Sequence, residues 1–538
     1  MLPEADQPIL LKNGILLVHD SSEPPRVTPM VNVDLLVVKG LIAGIGHEVA
    51  SLPDNTYIVD CTDKIVSPGF ISTHAHLWQT QLKGRHSNDT LYDYMPKGNF
   101  QSYTYTPDDI YLGQLAGCLE ALDGGNTTVL DHAHGCATTE HIDKAVQAMV
   151  DSGIRGVFAY GEPTRIERWN EDECVPSYDL WNEKTTLFVE QLAKKLNASD
   201  QNSEGCAKGR IEIGLAFDAW FLPKQMTTPL ITRLSAAGVR TLTSHIARDA
   251  VFGLGMPFTS IQDNQDLFNK SMSHLGIRNF VASHALNLPE DQLEILKSVA
   301  YPSGTTSGKG EGLNMTISST PSTESSMCLH RTPAFHSTLT STPYNSLVSL
   351  GVDCHSAGHS YLPLLGTMLL NCVRIQANEP YLAQDRYPLT MRGTTSEAFN
   401  MMTVYGARAL GLDTTEGGVG RLEVGRKADI VIIGTESPRI GIAAYYDPVD
   451  ALLGFSNASD IETVLVSGEP VKWEGKLLPV RTHEWTDSQS EQTIGWKQIR
   501  KELLRSYRDV QGRWSKLSME KAKEMMAGLY HIDTGRFG

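Results

Sequence analysis

His74 and His76 are the first residues in this chain whose types and spacing suggest metal chemistry. They end a short apolar run that begins after Pro68-Gly69. If this run is a strand, residues two apart point to the same face, and both imidazoles can reach one ion. Neutral imidazole nitrogen is a common zinc ligand. A lone His-X-His is equally well explained as two ordinary histidines, so the surrounding elements must decide.

Apolar runs alternate with amphipathic stretches from Phe70 onward, which predicts strands and helices in turn. Strands are predicted at Phe70–His76, Thr127–His132, Arg155–Tyr160, Arg210–Phe217, Arg240–His245, Phe280–His284, Asn314–Ser318 and Val348–Asp353. Such alternation implies a parallel sheet with right-handed crossovers. Eight units imply an α/β fold of the closed (β/α)8, or TIM barrel, type.

Helix signals separate these strands. Thr106-Pro107-Asp108-Asp109 combines an N-cap Thr, a Pro at N1 and acids in the first turn, and Gly124-Gly125 stops that helix. Thr139 is predicted to cap a helix that ends near Gly153. Further helices are predicted at Tyr178–Leu196 and near Pro229–Ala237, Asn264–Leu275 and Pro289–Val299.

Polar residues end several of the predicted strands. Strand one ends in His74 and His76, strand five in His245, strand six in His284 and strand eight in Asp353. In such barrels the active site lies at the C-terminal ends of the strands. Each residue alone is more often structural, but their common placement predicts that four histidines and one aspartate converge on one point.

The two ends of the chain carry a different pattern. Short strands and turns over residues 9–65 predict a small β-sandwich, which Gly420–Gly434 and Ile461–Leu478 are predicted to complete. The predicted organisation is 1–68 and 415–485 as a discontinuous sandwich, 69–414 as the barrel, and 486–538 as a helical tail. The basic cluster in Lys497–Arg505 is interpreted as a solvated helix face, and packing of the tail on a partner subunit stays open.

Two segments are predicted to be loosely ordered. They are Ser199–Gly209 and Pro302–Gly312, which are rich in small and polar residues. The second precedes strand seven, so it is either a lid over the site or, more simply, a plain loop.

Composition excludes several classes of function. The net charge of −16 argues against binding to nucleic acid or to anionic membranes, and no apolar run approaches a membrane span. The N-terminus has no signal-peptide pattern. The eight cysteines form no CxxC pair, which fits reduced thiols. We therefore expect a cytoplasmic protein with a small-molecule substrate and a metal site made of His and carboxylates.

Several motifs resemble the amidohydrolase superfamily, in particular its metal-dependent aminohydrolases and chlorohydrolases. This branch includes cytosine, guanine and methylthioadenosine/S-adenosylhomocysteine deaminases and the triazine hydrolases. The resemblance covers about residues 9 to 480. It is carried by Pro68–Ile71 before the His-X-His, by Gly125–Asp131, and by Gly406–Gly411 and Gly420–Asp429.

The resemblance implies a set of roles. His74, His76, His245 and Asp353 would bind one divalent ion, Zn2+ or, in some relatives, Fe2+, and His284 would contact the bound water or the substrate. Such an ion lowers the pKa of water to about 7, which gives a metal-bound hydroxide as the nucleophile. Asp353 could accept its proton, and His284 could polarise the reacting carbon's substituent.

One position departs from the family pattern. Deaminases of this branch usually carry a proton-shuttling Glu three residues after the strand-five His, but here that residue is Arg248. Arginine cannot act as a general base near neutral pH. Glu324 after strand seven, Asp249, or Asp353 alone could take over the proton transfer. Arg248 either binds a substrate carboxylate or forms a salt bridge.

Other residues are candidates for contact with the substrate. Trp78 and Gln79 follow the His-X-His directly and are the two predicted to bind the substrate. A second His-X-His, at His132 and His134, could line the pocket or hold a second metal. Strand four lacks the lysine of binuclear relatives, so one metal is favoured.

Three hypotheses follow for the function. The first is a metal-dependent hydrolase that cleaves a non-peptide carbon–nitrogen bond of a small cyclic or N-heterocyclic compound by attack of metal-bound hydroxide, in the manner of a deaminase. The second is an amide, lactam or carbon–halogen hydrolase with the same metal, to which the missing Glu gives weight. The third is a non-hydrolytic metal-binding relative. By analogy with the family, the chain is a candidate homo-oligomer.

Overall fold

Two large sheets organise the chain. The computed structural model describes residues 2–4, 6–49, 51–197, 208–247, 276–288, 290–300, 313–329, 332, 334, 346–482 and 492–538. Strands β1 to β21 span Ile9–His19, Val27–Val38, Leu41–Gly46, Tyr57–Asp60, Ile65–Pro68, Phe70–Ala75, Asn126–Ala133, Arg155–Gly161, Ile166–Trp169, Cys174–Pro176, Ile211–Ala216, Thr241–Ala247, Asn279–Leu286, Asn314–Ser319, Val348–Leu350, Ile430–Ile433, Ile461–Val466, Glu469–Trp473, Lys476–Leu477, Val480–Thr482 and Gln492–Ile494.

Helices connect and cover these strands. Helices α1 to α14 span Leu91–Lys97, Pro107–Asp123, Thr139–Ser152, Glu183–Leu196, Lys224–Ala236, Glu290–Ala300, Pro321–Ser326, Leu362–Leu382, Thr395–Met401, Val404–Ala409, Gly441–Tyr446, Pro448–Gly454, Trp496–Trp514 and Met519–Leu529. Short 3-10 segments occupy Leu77–Leu82, Asn99–Thr104, Ala458–Asp460 and Thr534–Arg536. No helix in the described part of the chain is long and apolar enough to cross a membrane.

A parallel sheet forms the centre of the molecule. Its strand order is β6, β7, β8, β11, β12, β13, β14 and β15. Beyond β15, the N–H groups of Val352 and Asp353 donate to the His74 carbonyl at 2.8 and 2.9 Å, and Ala75 forms a parallel bridge with Asp353. This seam joins the first strand to the last and closes the barrel. The predicted (β/α)8 fold is confirmed, and its closure puts the ligand candidates of strands one and eight side by side.

The second large sheet is built from both ends of the chain, as predicted. Strands β1–β5 and β16–β19 share it, and β5 pairs antiparallel with β16, with Ile65 opposite Ile433. Inward-facing residues of this sheet form a hydrophobic core of their own, which includes Leu11, Leu35, Ile430 and Leu465. These nine strands and their core form the small β domain predicted from the two chain ends.

Local sequence explains where the barrel helices begin and end. At the start of α2, the Thr106 side chain accepts from the N–H of Asp109 at 3.2 Å, and the Asp109 carboxylate accepts from the N–H of Thr106 at 2.9 Å. This capping box is the predicted start. The predicted stop is also confirmed, since α2 ends at Asp123 with Gly124 as its C-cap, and Gly125 has a positive φ that glycine adopts without strain.

Several predicted boundaries are wrong. The helix predicted from Tyr178 begins only at Glu183, because the Asn182 side chain caps it by accepting from the N–H of Thr185 at 3.0 Å. The cap of α3 is Thr138 rather than Thr139. Helix α5 begins at Lys224 and carries Pro229 inside it, whereas the sequence places that proline near the start. The β9–β10 hairpin was not predicted, since strands of four and three residues give little periodicity.

Some sequence-based predictions lie outside the described residues. These are the helix near Asn264–Leu275 and almost all of the segments Ser199–Gly209 and Pro302–Gly312.

Candidate metal centre

Four predicted ligands meet at the C-terminal end of the barrel. The ligand atoms of His74, His76, His245 and Asp353 all lie within 4.8 Å of one another. Nε2 of His76 lies 3.1 Å from Asp353 Oδ1, and Nε2 of His74 lies 3.3 Å from the same oxygen. All but His245, whose side chain is 30% exposed, are buried. The structure therefore brings together one donor set from strands one, five and eight.

Hydrogen bonds on the outer ring nitrogens orient these histidines. His76 Nδ1 lies 2.8 Å from the carbonyl oxygen of His132, and His245 Nδ1 lies 2.8 Å from Asp218 Oδ2. A carbonyl or carboxylate oxygen only accepts, so both Nδ1 atoms donate. In the neutral imidazole this leaves a lone pair on each Nε2, which is the form that binds a metal.

The positions of the Nε2 atoms of the histidines indicate whether this donor set fits a cation. His245 Nε2 and His76 Nε2 face each other at 3.3 Å. Two lone pairs at that distance repel unless a proton or a cation lies between them. His74 Nε2 is buried and makes no hydrogen bond within the described residues, and the Asp353 carboxylate converges on the same point. The residues fit a divalent cation with three nitrogen ligands and one oxygen ligand.

The electrostatic surroundings give the buried groups the protonation states that metal ligands need. Burial lowers the pKa of His74 well below its ordinary value, so this imidazole is neutral. Burial alone would raise the pKa of Asp353, but the imidazoles of His284, His74 and His76 hold it well below its usual range. A neutral imidazole and an ionised carboxylate are what a metal ion requires of its ligands.

The Asp353 backbone is itself unusual. Asp353 has a φ of 65°, and His284, near the end of β13, has a φ of 71°. Residues with a side chain rarely adopt this left-handed region, and such conformations cluster at functional sites. The turn ends strand β15 at Leu350, before the predicted end at Asp353, and allows Asp353 to bridge back to Ala75.

His284 lies beside the four-residue cluster rather than in it. Its Nε2 is 4.0 Å from Asp353 Oδ2, and its Nδ1 is 2.9 Å from Thr320 Oγ1. Behind the ring, Glu324 Oε1 is 3.7 Å from Nδ1. Burial lowers the pKa of His284, but the carboxylates of Asp353 and Glu324 outweigh it and hold that pKa above its ordinary value. This imidazole is therefore suited to carry a proton.

Glu324 is held in place behind His284. It is buried, and its carboxylate accepts from the N–H of Thr320 at 2.8 Å and from Ser319 Oγ at 3.1 Å. The His284 ring stands between Glu324 and Asp353, so Glu324 lies behind His284 as seen from the four-residue cluster. Its predicted role as a proton shuttle remains a prediction, now with His284 as the intermediary.

Asp218 is the residue that the sequence analysis missed. Its Oδ1 accepts from the N–H of His245 at 2.8 Å and from Ser244 Oγ at 3.2 Å, while Oδ2 faces His245 Nδ1 and lies 3.2 Å from His132 Nε2. Desolvation by the surrounding protein raises the pKa of Asp218, but the imidazoles of His245 and His132 outweigh it and hold that pKa well below its usual range. Its position two residues beyond β11, at the same barrel end as the histidines, is the signal that could have identified it.

The second His-X-His lies against the cluster. His132 shares the Asp218 carboxylate with His245, and burial lowers the pKa of His132 to about 3. The His134 ring lies 4.1 Å from the His76 ring, and neither of its nitrogens makes a hydrogen bond within the described residues. Both histidines are therefore neutral, buried neighbours of the donor set.

Of the residues predicted to contact the substrate, the structure describes Trp78 and Gln79 but not Arg248. The Gln79 amide is buried, donates to Tyr94 OH at 2.7 Å and accepts from Ser356 Oγ at 3.0 Å. Trp78 is buried edge-on against Tyr105, with ring centroids 5.0 Å apart. Both are engaged by protein neighbours, so their role toward a substrate stays a prediction. Arg248 and Asp249 lie outside the described residues.

A closed (β/α)8 barrel with these ligands at its strand ends defines a metal-dependent hydrolase of the TIM-barrel type. The family comparison agrees, since the model of the amidohydrolase family matches residues 65–471. The chain belongs to this family, as the resemblance implied. It is an enzyme, a hydrolase acting on carbon–nitrogen bonds other than peptide bonds.

Known proteins are similar over most of the chain. A 5-methylthioadenosine/S-adenosylhomocysteine deaminase of Thermococcus kodakarensis is 24% identical, covering 86% of this chain and 93% of its own length. The structure of an adenosine deaminase from Xanthomonas campestris with bound zinc matches with a TM-score of 0.65 at 15% identity, covering 96% and 100% of the two chains. An atrazine chlorohydrolase from Arthrobacter aurescens complexed with zinc matches with a TM-score of 0.66 at 18% identity, covering 93% and 100%. At these identities the solved structures support the fold alone.

Proposed function

We propose that this enzyme removes an amino group from a small N-heterocycle, with one zinc ion held by His74, His76, His245 and Asp353. The observation that carries the proposal is the convergence of these ligand atoms within 4.8 Å, with His284 beside Asp353. A bound divalent ion lowers the pKa of its water to about 7 and so supplies a nucleophile at neutral pH. The curated relative named above is a deaminase of adenosine-type compounds.

The residues of this chain have complementary parts in the proposed reaction. Asp353 accepts the proton of the attacking water, whose oxygen bonds to the ring carbon that carries the amino group. His284 donates a proton to the ring nitrogen as the carbon becomes tetrahedral. The bond to the amino group then breaks: the departing nitrogen takes up the proton from Asp353 and leaves as ammonia, while the remaining hydroxyl proton passes to His284 and leaves a carbonyl on the ring. Glu324 stabilises the protonated form of His284 before its proton is donated and after it is regained.

A second candidate reaction is hydrolysis of an amide, lactam or carbon–halogen bond at the same site. The residue that favours it is Arg248, which occupies the position of the usual proton-shuttling Glu. In that case Asp353 still accepts the proton of the attacking water. The group that leaves is an amine, which takes up that proton, or a halide ion, in which case the proton passes to solvent.

The test is metal content and product release in the purified protein. We expect close to one equivalent of zinc, chelator-sensitive turnover, and ammonia from at least one member of a panel of amino-substituted purines, pyrimidines and triazines. Asp353→Asn should lose metal and activity together, by about 10²–10³-fold in kcat. Asp172→Asn, an exposed aspartate on the β9–β10 turn, is the matched control.

Three outcomes would count against the proposal. Halide or amide cleavage without ammonia would select the second candidate. Full activity in metal-free protein would remove the metal from the mechanism. About two equivalents of metal would bring His132, Asp218 and His134 into the donor set.

A further inference from the structure

The thiol of Cys354 lies between the ligand candidate Asp353 and the hydroxyl of Tyr94. Cys354 Sγ is 3.5 Å from Asp353 Oδ1 and 2.9 Å from the Tyr94 hydroxyl oxygen. Asp353 Oδ1 is also the oxygen that lies 3.1 Å from His76 Nε2, whereas Oδ2 lies 4.0 Å from His284 Nε2. The thiol therefore contacts the carboxylate oxygen that faces the ligand cluster, and the other oxygen faces His284.

Gln79 determines the direction of these hydrogen bonds. Its Nε2 donates to the Tyr94 oxygen at 2.7 Å, and its Oε1 accepts from Ser356 Oγ at 3.0 Å. An amide N–H only donates, so the Tyr94 oxygen accepts there, and the Tyr94 hydrogen needs an acceptor of its own. Within the described residues, Cys354 Sγ is the acceptor in reach. A carboxylate oxygen only accepts, so the single thiol hydrogen is directed to Asp353 Oδ1.

Three donors thus act in series, and the series ends on Asp353. They are Gln79 N–H, Tyr94 O–H and Cys354 S–H. Phenols and thiols have pKa values of about 10 and about 8.5, so both groups keep their hydrogens at neutral pH. All three side chains are buried, so water does not compete for these bonds. Hydrogen bonds in a chain polarise one another, which strengthens the bond from a thiol, otherwise a weak donor.

Helix α1 and the C-terminal tail hold Tyr94 in this position. A Cβ added at Gly98 would lie 2.1 Å from the Tyr94 ring, so the absence of a side chain there lets the ring lie against the end of α1. Asp93 of α1 pairs with Lys523 of α14 at 2.8 Å, and Tyr94 shares a buried hydrophobic cluster with Met526. The tail lies beyond residue 471, where the match to the family ends. It therefore supports the donor series from outside the family's part of the chain.

We propose that Gln79, Tyr94 and Cys354 are positioning residues for Asp353: they hold Oδ1 toward the metal site and leave Oδ2 to accept the proton of the attacking water. The inference rests on the proposed function, because it concerns a ligand of the same site. Tyr94 makes no hydrogen bond to any of the four ligands, all of which the structure describes. An effect of its hydroxyl on the metal must therefore pass through Cys354.

The experiment measures zinc affinity in the full-length protein by competition with a chelator. Tyr94→Phe removes only the hydroxyl and should weaken zinc binding about tenfold or more, the range for groups that orient a metal ligand. Cys354→Ala should weaken it at least as much. The double variant should bind zinc no more weakly than Cys354→Ala, because without the sulfur Tyr94 no longer acts on Asp353. Cys354→Ser keeps a donor and an acceptor and should recover part of the affinity.

Steady-state kinetics at saturating zinc give a second readout. The kcat of Tyr94→Phe should fall about tenfold, because Asp353 is held less firmly, while KM should stay at the wild-type value. A change in KM with an unchanged kcat would place Tyr94 against the substrate instead and would contradict a positioning role.

The S–H stretching band of Cys354 gives a readout that depends on neither metal nor turnover. It is the infrared band that is missing from Cys354→Ser, and hydrogen bonding lowers its frequency. Loss of the Tyr94 hydroxyl weakens the bond from the thiol to Asp353, so the band should move to higher frequency in Tyr94→Phe. A band at the wild-type frequency would show that the thiol does not depend on Tyr94.

Matched variants at other buried sites separate positioning from packing. Tyr361→Phe removes a buried hydroxyl that bonds to Ser456 Oγ, and Cys61→Ala truncates a buried thiol in the core of the β domain. Both should keep wild-type zinc affinity. If Cys354→Ala fails to fold, Tyr94→Phe and Cys354→Ser carry the test. Unchanged affinity in folded Tyr94→Phe, additive losses in the double variant, or an equal loss in the controls would overturn the inference.

The two proposals can fail separately. Zinc affinity is measured without substrate, so a protein that binds zinc but releases no ammonia would refute deamination and still test the donor series. Ammonia release together with wild-type zinc affinity in Tyr94→Phe would refute the donor series alone. A wild type that binds no zinc would refute both.

Discussion

At the scale of single residues, the atoms that face away from the metal centre matter as much as the ligands. His76 donates to a backbone carbonyl and His245 to Asp218, so each presents the nitrogen that can bind a metal. The convergence of the four residues could be predicted from the sequence, because each lies at or just beyond the end of an apolar strand. Asp218 could not, since it stands two residues past its strand and belongs to no motif.

Asp218→Asn should weaken metal binding. A carboxylate offers two oxygens, one to the N–H of His245 and one to its Nδ1–H, whereas an amide offers only one acceptor. We expect metal affinity to fall about 10–100-fold, as for other groups that orient a metal ligand. Competition with a chelator measures this, with Asp172→Asn as the control. Unchanged affinity would mean that Asp218 does not orient His245.

Glu324→Gln should slow turnover without loss of metal. Glutamine keeps an acceptor for the N–H of Thr320, so the local fold survives, but the negative charge behind His284 is lost. A protonated His284 is then less stable, and we expect kcat to fall about 10²-fold, a usual contribution of general acid catalysis. Metal analysis beside steady-state kinetics checks this. Glu171→Gln, at an exposed site, should retain wild-type kcat.

At the scale of elements, buried hydrogen bonds join the second barrel strand to the segment after the first strand and to helix α2 between the two. Asp131 at the end of β7 accepts from the N–H of Leu77 at 3.0 Å and from Gln114 Nε2 of α2 at 2.6 Å. The barrel strands could be predicted from buried apolar runs with errors of a few residues. Boundaries set by a single side chain, such as the Asn182 cap, could not.

Asp131 should make stability depend on pH. Burial raises its pKa to about 6, while an unfolded aspartate titrates near 3.9. Between about pH 4 and 6 the native state holds a proton that the unfolded state has released, so this contribution to stability is lost as pH rises. The shift corresponds to about 3 kcal/mol in total.

The side chain introduced by Asp131→Asn cannot ionise. The difference in free energy of unfolding between this variant and the wild type should therefore change between about pH 4 and 6. Gln114 Oε1 makes no hydrogen bond within the described residues, so its amide can turn to accept from the new side chain. Urea unfolding at pH 4, 5, 6 and 7 measures the free energy of unfolding of both proteins. Parallel pH profiles would show that Asp131 does not titrate in this way; Asp172→Asn should follow the wild type.

At the scale of the whole molecule, the proposed metal joins distant parts of the chain. Its ligands come from strands one and five and from the turn after strand eight, across the seam that closes the barrel. The sequence could predict this topology because strands and helices alternate regularly. It could not predict where the tail docks, since an amphipathic helix reveals an apolar face but not the surface that covers it.

Removing the metal should lower the melting temperature. A ligand that binds only the folded state at 100 times its Kd stabilises that state by about 2.7 kcal/mol. Scanning calorimetry of zinc-loaded and chelated enzyme measures this difference. Asp353→Asn should melt at the same temperature with or without zinc. Equal melting temperatures for loaded and chelated wild type would contradict a metal that links the barrel strands.

The sheet that unites both chain ends also sets an order of events during synthesis. Strand β5 receives its neighbour β16 only after the entire barrel has been translated, because Ile65 pairs with Ile433. At about 5–20 residues per second, this delay is on the order of half a minute. For that time the edge of β5 is unpaired, and an unpaired strand edge invites association with other chains. The strands that complete the first sheet, β16 to β19, thus leave the ribosome only after the whole catalytic barrel has been synthesised.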